Sequence, residues 1–290
     1  MKKVFLSTLV FVGLLFGSCS NGESIDIMDN NEMISETTYS KEELRNLDFE
    51  QIGIHHNEGL DYVYKKIKLN PSLLTEENNN IINEFIFDNT ELYLNNTEYF
   101  NGFDIEILSN IRPETSFATT EEFVLNLENI ISDNLSSPIA LQYLNDINNV
   151  YDNYSSVQNY SSSIAVNALR SIENSIVNDL EITTNEYTIL RSVIVTGIYS
   201  LQYWEENTAK WEDLNSHPQP QAKGDWQWFK GAVKNMAVAD AYGAGAGLII
   251  GGISSIWSGP GVVVGAAAGA VGYGMNASGI AGIREVIESL

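Results

Sequence analysis

The sequence predicts an all-α protein, a multi-helix domain followed by a Gly/Ala-rich helical hairpin. Three observations carry that prediction. Apolar residues return every three or four positions between Lys41 and about Leu214, the period of a helix with one buried face. Two capping boxes and a helix-starting proline punctuate the same stretch. From Ala241 to Ile283 there is no charged side chain, and Gly243, Gly247 and Gly251, then Gly261, Gly265 and Gly269, recur every fourth residue. On a helix such a spacing makes one stripe of small residues, against which a second helix can come to backbone contact.

In chain order, Glu50–Leu69 places Ile52, His56, Leu60, Val63 and Ile67 on one face. Thr75 opens a second helix with Ile82, Phe85 and Ile86 inward, and Leu92–Ile111, aromatic residues among asparagines, reads as an irregular loop. Thr119 with Glu122 is a capping box ahead of Phe123, Leu127, Ile130 and Ile131. Pro138 begins the next helix, carrying Leu144, Ile147 and Tyr151. Ile164–Leu180 repeats the pattern with Leu169, Ile172 and Ile176. Thr183 with Glu186 caps Tyr187–Trp211, which is apolar nearly all round and so expected to be central and buried.

The proline-containing stretch 215–223 reads as a linker, and Gly224–Phe229 as an aromatic cluster ahead of the hairpin. Ser258-Gly259-Pro260-Gly261 is a turn signal that divides the chargeless run into Ala241–Trp257 and Gly261–Ile283. As helices these would be about 25 Å and about 34 Å long, so the second has spanning length. Two readings stand side by side: a membrane-active hairpin, or one buried within a soluble body. Glycine costs about 1 kcal/mol against alanine inside a helix, so either demands tight packing.

The front of the chain carries a different signal. Lys2 and Lys3 precede a largely apolar Val4–Phe16, too short to span, then Gly17, Ser18 and Cys19. This layout resembles a bacterial lipoprotein signal, in which cleavage falls before the cysteine and its sulfur takes a diacylglycerol. Phe16 departs from the usual aliphatic residue three positions before that cysteine. Cys19 is the only cysteine, which excludes intramolecular disulfides and multi-cysteine metal sites. Residues 20–40, acidic and without period, read as a disordered tether, 41–214 as the helical domain and 224–290 as the aromatic cluster plus hairpin. A net charge of −23 disfavours nucleic acid and anionic head groups as partners.

Chemistry is sparse. The histidines are His55, His56 and His217, and His55-His56-Asn57-Glu58 is the one polar cluster with chemical potential. Adjacent histidines point about 100° apart on a helix and do not share an ion comfortably. His56 is expected in the core with a bonded nitrogen, and His55 near solvent. No phosphate loop or Gly-x-Ser-x-Gly elbow occurs, so no catalytic residue, metal or cofactor is expected.

Gly53, His56, Asn57 and Leu60, taken with the signal and the glycine-rich end, resemble uncharacterised lipoproteins of Bacteroidota-type bacteria, which carry a Gly-x-x-His-Asn-x-x-Leu segment and a small-residue tail. That resemblance implies placement in the cell envelope and lends no activity. The glycine run separately resembles membrane-active bacteriocin peptides. The expectation is therefore a non-enzymatic envelope protein, anchored in the outer membrane through Cys19, with membrane or like chains as partners of its glycine stripe. A bacteriocin-like or pore-forming toxin acting through 224–290 is the alternative, and a hydrolase or metal protein using His55, His56 and Glu58 a third.

Overall fold

A computed structural model describes residues 47–74, 79–102, 120–214, 226–253 and 261–288. Among these are eight α-helices and no strand. We number them α1 (Phe49–Lys68), α2 (Asn79–Asn96), α3 (Thr120–Asp133), α4 (Pro138–Ser156), α5 (Ser162–Asn178), α6 (Thr184–Glu212), α7 (Trp226–Leu248) and α8 (Gly261–Glu288). Short 3-10 turns lie at Pro71–Leu73 and Glu98–Phe100, and a π-turn at Ile249–Ile253 extends α7. Cys19, the tether, Thr119 of the first capping box, the 215–223 linker and the Ser258–Pro260 turn fall outside the described residues.

Local chemistry sets the helix starts. Asp48 accepts from the Gln51 amide at 3.2 Å and caps α1. Ser137 caps α4 by accepting from Ala140 N, with Pro138 in the first turn, and Ser161 caps α5. On α6 the Thr183–Glu186 capping box forms in full. Glu186 also accepts from the Ser136 and Ser137 amides at 2.9 and 2.7 Å, so one buried carboxylate ties the starts of α4 and α6 together. Burial pushes this carboxyl up, but the amides and hydroxyls of Thr183 and Ser137 outweigh it and hold the group at about 2.

Two boundaries differ from those the sequence predicts. α2 continues through Leu92–Asn96, where a loop is expected. Asn89 and Asn96 donate to the carbonyls of Phe85 and Leu92 one turn back, at 2.7 and 2.6 Å, and so sit within the helix instead of breaking it. The first arm of the hairpin begins at Trp226, well ahead of Ala241, because Ala232, Val233, Met236 and Ala237 supply a buried apolar face upstream of the glycines.

α7 and α8 pack along each other and form the centre of one compact unit covering 36–290. α6 lies on α7; α1 packs on α6 and α8; α2 covers α8; α3 and α4 cover α7; α5 packs on α6 and α4. Five amphipathic helices thus sheathe three apolar ones. Every residue from Met236 to Ile249 and from Gly265 to Ile283 is buried. In α6, Ile189, Leu190, Val193, Ile194, Val195, Ile198 and Leu201 are all buried, as the all-round apolar pattern predicts. Although Gly261–Ile283 has spanning length, no helix among the described residues is both long and apolar enough to cross a membrane. Glycine adds length without apolar surface, and Tyr273, Asn276 and Ser278 interrupt the run.

The contact of α7 with α8 runs through the glycine stripe. A Cβ on Gly247 would collide with the carbonyl oxygen of Gly269, and one on Gly269 with that of Gly247. A Cβ on Gly251 would stand 2.9 Å from Gly265 O and one on Gly265 3.1 Å from Gly251 O, while Gly243 faces Ala277 and the Gly274 backbone. Gly261 is the first residue of α8. By contrast, nothing lies within 4 Å of a Cβ on Gly231, earlier in α7.

These contacts rank substitutions. Gly247→Ala is expected to destabilise the fold by about 1–3 kcal/mol, since backbone must shift. Gly231→Ala, in the same helix, is expected to stabilise it by up to about 1 kcal/mol. Urea unfolding checks the order of the two. For Glu186 the folded pKa lies below the free one, so its stabilisation is present above about pH 4.5 and lost as pH falls towards about 2. Acid unfolding of Glu186→Gln should lack that share of the wild-type pH dependence.

Candidate functional site

The residues of the Gly-x-x-His-Asn-x-x-Leu segment all face inward from α1. A Cβ on Gly53 would strike the Tyr199 ring on α6, and one on Gly59 would strike Met275 on α8. Leu60 is fully buried. Asn57 donates to the Tyr199 carbonyl at 3.0 Å, and its Oδ1 lies 3.0 Å from His56 Nδ1. The segment is thus the surface by which α1 seats itself between α6 and α8: two glycines for close approach, a leucine for the core, and an amide that fixes both the neighbouring backbone and the histidine ring.

The other imidazole nitrogen leads to the polar centre of the molecule. His56 Nε2 lies 3.6 Å from Oδ2 of Asp240 on α7, and both side chains are fully buried. The same Oδ2 accepts from Trp204 Nε1 at 2.9 Å and from the hydroxyl of Ser200, both on α6. Ser278 on α8 faces the same carboxyl group. Four helices, α1, α6, α7 and α8, therefore meet at one carboxylate. Burial raises its pKa above the usual carboxylate range, against the pull of His56, Ser200, Ser278 and Trp204. The nearby Tyr151 phenol is pushed up by its own burial and by the charge of Asp240.

Ser, His and Asp side chains come together here, but not in the order nucleophilic catalysis needs. Ser200 donates to Asp240, and no bond joins its hydroxyl to the imidazole that would have to take its proton. All three side chains are buried.

His55 points elsewhere. Its Nδ1 lies 3.1 Å from Glu58 Oε2 and 3.3 Å from Tyr93 OH, and Tyr93 donates to the same Glu58 oxygen at 3.2 Å. The ring packs on Tyr99 and Phe100, with centroids 4.8 and 5.3 Å away. His55 is thus half-buried where a solvent-facing position is expected, because the 3-10 turn Glu98–Phe100 folds over it. His55 and His56 face different neighbours of α1, and among the described residues no group of three or more His, Cys, Asp or Glu side chains could hold a metal ion.

Charge is otherwise spent on joining helices. Arg170 on α5 forks to Glu50 of α1 at 2.6 and 3.1 Å and reaches Glu173 at 2.8 Å. Arg191 of α6 meets Glu173 at 2.7 Å and lies over the Phe49 ring. On the other side of the body, Tyr242 of α7 donates to Asn148 of α4, whose amide donates to Glu128 of α3 at 2.7 Å.

Sequence reasoning finds His56 but misses Asp240, Ser200, Trp204 and Ser278 as its partners. A signal for Asp240 exists: it stands between Ala237, Val238 and Ala239 on one side and the chargeless run from Ala241 on the other, where a solvated carboxylate is out of place. No protein-family model, no curated protein and no solved structure matches the chain.

Asp240→Leu strands the Trp204 and Ser200 donors in the core and is expected to destabilise by about 2–5 kcal/mol. Asp240→Asn keeps the shape and an acceptor oxygen, and is expected to cost less than about 1 kcal/mol near pH 7. Thermal or urea unfolding of the two variants distinguishes a polar junction from plain packing.

Proposed function

We propose that this protein is a non-enzymatic, lipid-anchored component of the bacterial cell envelope, held at the outer membrane through Cys19, whose helical body encloses the Gly/Ala-rich hairpin. The observation that carries the reading is the front of the chain, Lys2-Lys3, the apolar Val4–Phe16 and Gly17-Ser18 before a single cysteine. Its layout supports export and acylation at Cys19. A structural role for the body is supported by where its polar side chains go. His56, Asp240 and Ser200 are enclosed between helices, and Glu50, Glu173, Arg170 and Arg191 bridge them.

A second reading, a pore-forming protein acting through 224–290, is favoured by the sheath. Helices α1–α4 together with α6 cover an almost chargeless hairpin on several sides, an arrangement that would keep such a segment in water until it meets a bilayer. In that reading α7 and α8 exchange their protein neighbours for lipid, with the glycine stripe keeping them paired.

Fractionation with carbonate washing, alongside mass analysis of the mature amino terminus, tests both. The proposal expects diacylglycerol on Cys19, wild type in the membrane fraction, and Cys19→Ala released in soluble form. An unmodified Cys19 overturns the anchor. Retention of Cys19→Ala in washed membranes, together with dye release from liposomes by the mature chain, replaces the proposal with the pore former.

A further inference from the structure

Asp240 and His56 come from different helices, are both fully buried, and face each other at 3.6 Å. The groups that meet the carboxyl are His56 from α1, Ser200 and Trp204 from α6, and Ser278 from α8, with the Tyr151 phenol of α4 and the Tyr203 phenol of α6 close enough to sense its charge. Among these, His56 is the only group that forms a cation. Among the described residues, Asp240 Oδ1 and His56 Nε2 accept no hydrogen bond.

The chemistry of that enclosure restricts its proton content. With no proton on the pair, a bare carboxylate sits in the core; with two, an imidazolium sits there without a counter-charge. Either state carries an uncompensated buried charge. With one proton the pair is neutral overall, whether the proton rests on the carboxyl or on the imidazole, and both arrangements count the same in linkage. In the unfolded chain the two groups separate and titrate at about 3.9 and about 6.5, so above about pH 7 they hold no proton between them.

We propose that seating of α1 against the hairpin is proton-coupled, the His56–Asp240 junction closing only with one proton held between the two side chains. The sign follows from counting. Above about pH 6.5 the folded junction binds one proton more than the unfolded chain, so stability falls as pH rises, by up to tenfold in the folding equilibrium per pH unit. Between about pH 4 and 6.5 the counts are equal and the junction is at its firmest. Below about pH 4 the unfolded pair takes a second proton and stability falls again.

The device has a place to act. α1 covers α8 at Gly274, where His56 packs, and at Met275, where Gly59 packs. Loosening α1 uncovers that face of the hairpin, so mildly acidic surroundings keep the hairpin covered and alkaline ones favour its exposure. This inference is independent of the lipid anchor.

Urea unfolding of the mature chain at about pH 6 and about pH 8.5, with Asp240→Asn as the comparison, tests it. Wild type is expected to lose at least about tenfold in its folding equilibrium relative to Asp240→Asn across that interval. In the variant no proton is needed to neutralise the junction. The second readout needs no variant. The Trp204 indole donates to Asp240, so its assigned Nε1–H resonance in 15N-labelled native wild type should be constant between about pH 5 and 7 and shift as the junction loses its proton at higher pH. Equal pH dependence in wild type and Asp240→Asn overturns the proposal, as does a native Trp204 Nε1–H resonance unchanged up to the onset of global unfolding.

Discussion

At Gly247 and Gly269 the backbones of α7 and α8 come so close that each carbonyl oxygen occupies the place where the other residue's Cβ would be. Most helix pairs keep their axes apart by the side chains between them; at these two glycines backbone meets backbone. The close approach gives the hairpin a cross-section small enough for α6, α1 and α2 to reach α8 and for α6, α3 and α4 to reach α7. It also accounts for how a stretch so rich in glycine stays helical. The conformational penalty of each glycine is met by backbone-to-backbone dispersion along the crossing. The same logic extends outward. Gly53 admits the Tyr199 ring, Gly245 admits Val193 and Ile131, and Gly282 admits Trp204, so small residues on one helix are matched by large ones on the next.

A hairpin built from alanine and glycine has few knobs to define its register, and one helical turn of sliding would cost it little in apolar contact. The polar junction supplies what the apolar surface lacks. Asp240 finds Trp204, Ser200, Ser278 and His56 only in the observed register, and a slip would bury the carboxyl without donors. Thr90 of α2, 3.1 Å from Asn276 of α8, makes a second such tie, and Tyr242 with Asn148 a third. At each of these three places a polar pair sits where two helices must be aligned.

Much of this was legible from local signals. The capping box at Thr183–Glu186, the proline at α4 and the all-round apolar face of α6 are encoded in neighbouring residues, and each appears where its residues place it. Asparagines misled at Leu92–Asn96, because their side chains can bond a preceding carbonyl as readily as they can break a helix. The start of α7 is hidden because an aromatic cluster suits a membrane interface as well as a helix docking onto a domain until its packing partner is known. His55 was misplaced because the turn that covers it lies 43 residues further on in sequence at its nearest, beyond the reach of any periodicity. Asp240 is the clearest case of the same limit. A lone acid bordering an uncharged run can mark the edge of a solvated surface or the centre of a core, and only the presence of His56, Ser200 and Trp204 across from it decides.

The account turns on the hairpin being the most deeply held part of the protein, with the amphipathic helices as its covering. Native-state amide hydrogen exchange on the mature chain measures that directly. The slowest amides should lie in α7 between Met236 and Leu248 and in α8 between Gly265 and Ile283, with opening free energies equal to that of global unfolding. Amides there that exchange as fast as those of α5, or that gain protection only when lipid is added, would contradict it.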